Sequence, residues 1–156
     1  MRLSTRGHYG LKAMFDLAQH YGNEPVPLKT VAERQNISEN YLEQLIATLR
    51  KTGLVKSVRG SQGGYILARA PEKITVGDII RVMEGPIAPV DCVSEIDPAE
   101  CDQADYCITR SVWARVRDSL AELMDSISLA DMLRDADKAK QGSASQVSEQ
   151  QKNISS

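Results

Sequence analysis

The stretch from Pro27 to Gly64 constrains this chain more than any other, because two helical patterns, a tight turn and a glycine-tipped strand pair follow one another without a gap. Pro27 suits the first turn of a short helix running to about Gln35, with Leu28, Val31 and Ala32 turned inward. Asn36 and Ile37 make the turn. Ser38 then caps a second helix to about Thr52, Glu39 favours its dipole, and Gly53 stops it. Its apolar side is Leu42, Leu45, Ile46 and Leu49, which leaves Asn40, Glu43, Gln44, Ala47 and Lys51 on a largely polar side that faces outward. This is the helix-turn-helix arrangement, whose second helix reads the DNA major groove.

Leu54 to Arg59 and Gly64 to Arg69 read as two short strands around the tip Gly60-Ser-Gln-Gly-Gly, headed by Arg59. A slender tip carrying one arginine suits a minor groove, where negative potential is focused. No Lys-Ser or Lys-Thr follows these glycines and no helix opens there, so they are not a phosphate-binding loop.

Around this unit the chain predicts further helices. One runs from about Gly7 to Tyr21 on Leu11, Met14, Phe15 and Ala18. Another begins at Thr75, with Asp78 completing a capping box, Ile74 and Ile79 as a hydrophobic staple, and Gly85-Pro86 as the stop. A third, from about Thr109 to Ser126, is roughly 27 Å long. Its Val112, Trp113, Val116, Leu120, Leu123 and Met124, with Ile127 beyond, form an apolar side too broad for one short companion, which implies a homodimer. Ser128 and Asp131 repeat the capping box for a last short helix carrying Leu129, Met132 and Leu133. The polar residues after about Asp135 are expected to be disordered. The expected fold is mainly α with a small β-hairpin: a winged helix-turn-helix domain over 1–84, a cysteine-rich loop over 85–108, a long dimerisation helix and short C-terminal helix over 109–134, and a disordered tail over 135–156.

Charge agrees with that division. Residues 1–83 carry 12 Lys and Arg against 7 Asp and Glu, whereas residues 84–156 carry 7 against 14. The front half can meet a polyanion, for which the helix-turn-helix reading implies double-stranded DNA, and the back half cannot. No apolar run is long enough for a membrane helix and the first residues lack the core of a signal peptide, so the expected location is the cytoplasm and no membrane partner is implied.

The 3 cysteines, Cys92, Cys101 and Cys107, all fall in the segment Asp91 to Thr109, beside Asp91, Glu95, Asp97, Glu100, Asp102 and Asp105 and without one Lys or Arg. An odd count in a reducing compartment reads as ligands or reactive thiols. The spacing Cys-x8-Cys-x5-Cys matches no paired zinc pattern, so zinc ranks second. Three thiolates among six carboxylates need a positive centre, and an iron–sulfur cluster is the natural soft acceptor. A thiol redox switch remains open, while an enzyme using Cys107 as nucleophile is weak because His8 and His20 lie at the far end of the chain.

Met1-Arg-Leu-Ser, Pro25-Val-Pro-Leu, Glu33-Arg-Gln, Tyr41-Leu-Glu-Gln-Leu, Leu49-Arg-Lys, Gly53-Leu-Val, Ser57-Val-Arg-Gly, Gly63-Gly-Tyr and the three downstream cysteines together resemble the IscR family of iron–sulfur-cluster-sensing transcription regulators, over roughly residues 1–133. The resemblance implies a homodimer with one 2Fe–2S cluster per subunit, held by Cys92, Cys101 and Cys107, that regulates cluster-assembly genes and selects DNA sites by cluster occupancy. It also implies that Glu43 discriminates bases with Ser38, Asn40 and Gln44 beside it and that Arg59 enters the minor groove; Arg50 and Lys51, at the end of the same helix, are further candidate DNA contacts. Two departures stand out. The first cysteine interval is three residues longer than in that family, and Arg110, which cannot ligate iron, occupies the place of its histidine ligand. A loop carboxylate or His8 is then the candidate fourth ligand; His8 lies where nitric-oxide-sensing relatives, with 4Fe–4S sites, carry a ligand from the partner subunit.

Overall fold

The computed structural model describes the backbone of residues 3–154 and the side chains of residues 3–146. Helix α1 spans Thr5–Gln19 and starts at Ser4, whose hydroxyl accepts from the Arg6 N–H at 3.2 Å. Glu84 reinforces that end from across the fold, accepting from the N–H groups of Ser4 and Gly7 at 3.0 and 2.9 Å. The Ser4 hydroxyl, and then these amides, hold the Glu84 carboxyl below its usual range.

Helix α2 (Leu28–Gln35) ends at Asn36, which takes the left-handed conformation with φ 53° and so turns the chain within two residues. Helix α3 (Glu39–Lys51) follows, its Ser38 hydroxyl accepting from the Tyr41 N–H at 3.2 Å. Strands β1 (Val55–Val58) and β2 (Gly64–Leu67) form an antiparallel hairpin in which Val55 faces Leu67. Val26 adds a bridge to Tyr65 with N–H···O bonds of 3.0 and 2.8 Å, tying the hairpin to the chain two residues before α2. That approach leaves no room for a side chain at Gly64, where a Cβ would strike the Val26 carbonyl.

Helix α4 (Val76–Glu84) carries the predicted capping box in full: the Thr75 hydroxyl accepts from the Asp78 N–H and the Asp78 carboxylate from the Thr75 N–H, each at 3.0 Å. Helices α5 (Ile108–Ser126) and α6 (Leu129–Ile154) complete the fold, with Ser128 and Asp131 making the second capping box. The core joins Met14 and Leu17 of α1, Leu42, Leu45 and Leu49 of α3, Ile74 before α4, Ile79 within it and Leu129 of α6. The start of α6 belongs to that core, since Leu129 is fully buried and its N–H donates to the Ile74 carbonyl at 2.9 Å.

One expectation is corrected. The segment after Asp135 continues α6 to Ile154 instead of being disordered, so the last helix is long; residues 155 and 156 lie outside the described residues. Ala136, Lys138, Ala139, Lys140, Gln141 and Ala144 are strong helix formers, and no proline follows Pro98. Residues 137–146 are all exposed, so backbone propensity rather than packing sustains this part. A polar composition excludes a packed core there but not a solvated helix.

Candidate nucleic-acid interface and cysteine loop

Helix α3 is anchored along one side by fully buried Leu42, Leu45 and Leu49. Asn40, Glu43, Gln44, Ala47, Arg50 and Lys51 are all exposed, with Ser38 exposed at its start. The face read from the sequence is thus free to meet a ligand while its backbone is held. Exposed Arg59 heads the hairpin tip, and Gly60 sets its direction with φ +114°, a conformation that side chains disfavour.

Spacing alone did not reveal what holds α2 in place. Asp16, 1% exposed, accepts from Arg34 Nε and Nη2 at 3.0 and 2.7 Å and from Gln35 Nε2 at 2.9 Å. One buried carboxylate therefore pins the end of α2 to α1 immediately before the turn into α3. The available signal was an acidic residue between the inward-facing Ala13 and Leu17.

In the loop, Cys92 sits in a single 3₁₀ turn, Asp91–Val93, that Val93 pins by burial. Cys92 and Cys107 are half-buried, Cys101 is exposed, and all are free thiols. The Asp91 carbonyl accepts from the Ala99 N–H, and the Cys101 carbonyl from the Ala104 N–H, each at 3.0 Å. Among the described residues no three His, Cys, Asp or Glu side chains stand together as a group that could hold a metal ion. His8 is exposed on α1, edge-on to Tyr9 at 5.2 Å. The loop thus supplies a soft donor set whose chemistry fits an iron–sulfur cluster, without gathering it around one point.

Cys107 occupies the N-cap of α5. The Thr109 hydroxyl, 3.1 Å from its sulfur, and then the Arg110 backbone N–H hold the thiol below its usual range. Beside it opens a recess of about 710 Å³ lined by Val93, Tyr106, Cys107, Arg110 and Arg117. Arg117 donates to the Val93 carbonyl at 3.0 Å, while Arg110 Nε is buried with no hydrogen-bond partner among the described residues. Alkylation of Cys107 in the metal-free protein, followed by peptide mass spectrometry against pH, should show a midpoint below the ordinary free-thiol value of about 8.5. Thr109→Val should raise that midpoint, and an unmoved midpoint would refute the assigned cause.

The loop is also tied back to the reading unit. Glu95, between Cys92 and Cys101, accepts from Arg81 Nε and Nη2 at 3.0 and 2.8 Å and from the Ile87 N–H at 2.8 Å. Arg81 also donates to Asp125 of α5 at 2.6 and 3.0 Å. These bonds hold Glu95 below its usual range, Arg81 acting first.

Residues 3–135 match the Rrf2 family, described as an iron-dependent transcriptional regulator. The chain belongs to this family. It is 48% identical over 132 residues to the HTH-type transcriptional regulator CymR of Bacillus subtilis, covering 85% of this chain and 89% of that protein. It is 38% identical over 137 residues to IscR of Yersinia enterocolitica, covering 88% and 82%. The solved structure of T. potens IscR superposes with a TM-score of 0.74 at 58% identity, covering 89% of this chain and 90% of that one. A structure of the B. subtilis CymR, titled a global cysteine regulator, gives 0.72 at 46% identity, covering 85% and 95%. Like its Rrf2 relatives, the chain is a DNA-binding transcription regulator and not an enzyme. Among the described residues no helix is long and apolar enough to cross a membrane.

Proposed function

We propose that this Rrf2 regulator acts as a homodimer that reads DNA through α3 and the wing of each protomer, and that the cysteine loop is its sensing input, holding an iron–sulfur cluster. The observation that carries this is the concentration of every thiol of the chain in one acidic loop, joined at its start to α4 and at its end to α5. Asn40, Glu43 and Gln44 would meet base edges, with Ser38, Arg50 and Lys51 at the flanking backbone and Arg59 in the minor groove. A carboxylate at Glu43 accepts from cytosine and repels a misplaced phosphate, so it sharpens discrimination more than affinity.

Cys92, Cys101 and Cys107 would hold the cluster, 2Fe–2S in preference to 4Fe–4S by the IscR resemblance. When bound, the group supplies a positive, oxidation-sensitive centre that offsets the loop's charge. Arg110 cannot be the fourth ligand, which leaves His8 of the partner subunit or a loop carboxylate other than Glu95, whose two oxygens are engaged by Arg81 and the Ile87 N–H. Regulation of cluster-assembly genes is the output this reading favours. Anaerobic purification should yield coloured protein with comparable iron and acid-labile sulfide, and colourless protein with stoichiometric zinc would overturn it. The lowered Cys107 thiol, together with similarity to a protein titled a global cysteine regulator, supports a second reading in which the thiols act as a redox switch without a cluster. In that case the isolated protein carries neither metal, and its DNA affinity follows thiol oxidation.

The dimer rests on α5, which buries none of its own residues within the chain and leaves Val112 47% and Leu123 59% exposed. Such a contiguous apolar face on a helix of this length calls for a partner. Leu123→Glu should shift the protein to monomer by light scattering with helical content unchanged; a dimer that survives that substitution would place the interface elsewhere.

A further inference from the structure

We infer that Arg81 is the positioning residue through which the cysteine loop sets the posture of the reading unit, with Glu95 as its contact on the loop; this rests on the loop being the sensing input. Arg81 stands between two carboxylates from different elements. Glu95 engages it with both oxygens from inside the loop, three residues after Cys92, and Asp125 engages it from near the end of α5. Glu95 is held further by the Ile87 N–H, so its orientation is not that of a loose surface acid. The junction is close-packed as well. A Cβ at Gly77, one turn before Arg81 on α4, would strike the Asp125 carboxylate and come within 2.8 Å of Arg81 Nη1.

From this junction the path to DNA is short and consists of packed elements. Arg81 lies on α4, which packs against both α1 and α3. At its far end Glu84 holds the first turn of α1 by the Ser4 and Gly7 amides. A guanidinium fork matched to one carboxylate has a fixed geometry, so a loop conformation that withdraws Glu95 removes a directional restraint on α4 while the Asp125 restraint stays. The observed arrangement, with Arg81 shared between loop and α5, and a second in which α5 alone would hold it, would make the two-state element that coupling requires. Glu95 lies between Cys92 and Cys101, so a thiol-dependent rearrangement of that stretch acts on a segment that contains it.

The test compares DNA affinities in two loop states. A duplex selected from a random pool by the wild-type protein is titrated with anaerobically isolated full-length protein. The titration is repeated after the protein has been stripped with ferricyanide and EDTA and its thiols blocked with methyl methanethiosulfonate. The wild-type ratio of the two dissociation constants should fall in the range of about 5- to 150-fold typical of coupled sites. In Glu95→Gln, which keeps the shape and loses the charge, the ratio should collapse to within about twofold of one, and Glu95→Asp should restore part of it. A junction that merely stabilised the fold would weaken both states together and leave the ratio intact. Retention of the full ratio by folded Glu95→Gln overturns the inference. Should that variant not fold, Arg81→Lys, which keeps the cation but not the fork, decides on the same criterion. A wild-type ratio of one overturns the sensing reading itself and this inference with it.

Discussion

Replacing Asp16 by Ala is expected to lower the unfolding free energy by about 2–3 kcal/mol, a large share of the roughly 5–15 kcal/mol by which domains of this kind are stable. The carboxylate is buried and accepts three side-chain hydrogen bonds, two of them from the Arg34 guanidinium. Removing it would cost more if Arg34 were buried too, but its side chain is 39% exposed and can recover water, which keeps the loss below that of a fully buried broken pair. Thermal unfolding should fall by roughly 5–10 °C for a chain of this size. Asp16→Asn, still an acceptor but uncharged, should lose about half as much. Because these bonds fix the end of α2 just before the turn, DNA affinity of the Ala variant should drop below the unfolding midpoint as well. A change under about 0.5 kcal/mol, the usual effect of a surface substitution, would show that the Asp16 cluster contributes nothing.

Arg59→Ala should weaken DNA binding by roughly 5- to 30-fold at fixed salt, the loss of one cation placed in a groove of concentrated negative potential. The dependence of log affinity on log salt should become shallower by about one charge per wing. Glu43→Ala is expected to behave differently. It should leave the salt slope unchanged or slightly steeper while broadening the set of sequences bound, since a carboxylate on the reading face contributes selectivity rather than phosphate attraction. Binding by Arg59→Ala with wild-type affinity and slope would place the wing outside the groove.

Legibility from the sequence followed the range of the interactions involved. Ser38, Thr75 with Asp78, and Ser128 with Asp131 mark helix starts because a cap acts over two or three residues, and all three are realised as hydrogen bonds. Helix α1 starts at Thr5, two residues ahead of the start at Gly7 that its apolar spacing predicts, because its first turns bury Gly7 and Gly10, which carry no apolar signal, against Glu84 and Met83. The polar face of α3 followed from periodicity alone, and so did the unpartnered face of α5. Asp16 with Arg34 and Arg81 with Glu95 were invisible, since their partners lie on other elements and share no spacing rule. The loop shows the same limit from the other side: composition marks its thiols as a functional group, but a segment without period gives no means of saying how its sulfurs are arranged. Low hydrophobicity excludes a packed core in the tail, whereas its Ala, Lys and Gln content favours helix without any core.

The most direct test of the loop as the input is a DNA titration at one salt concentration, comparing anaerobically isolated wild type with the variant in which Cys92, Cys101 and Cys107 are all Ala. If the loop governs the reading head, the two proteins differ by at least about fivefold in affinity for the duplex selected by wild type, or select different sequences from a random pool. Equal affinity and equal sequence preference in two folded dimers would contradict the claim that the cysteines inform the DNA-binding face.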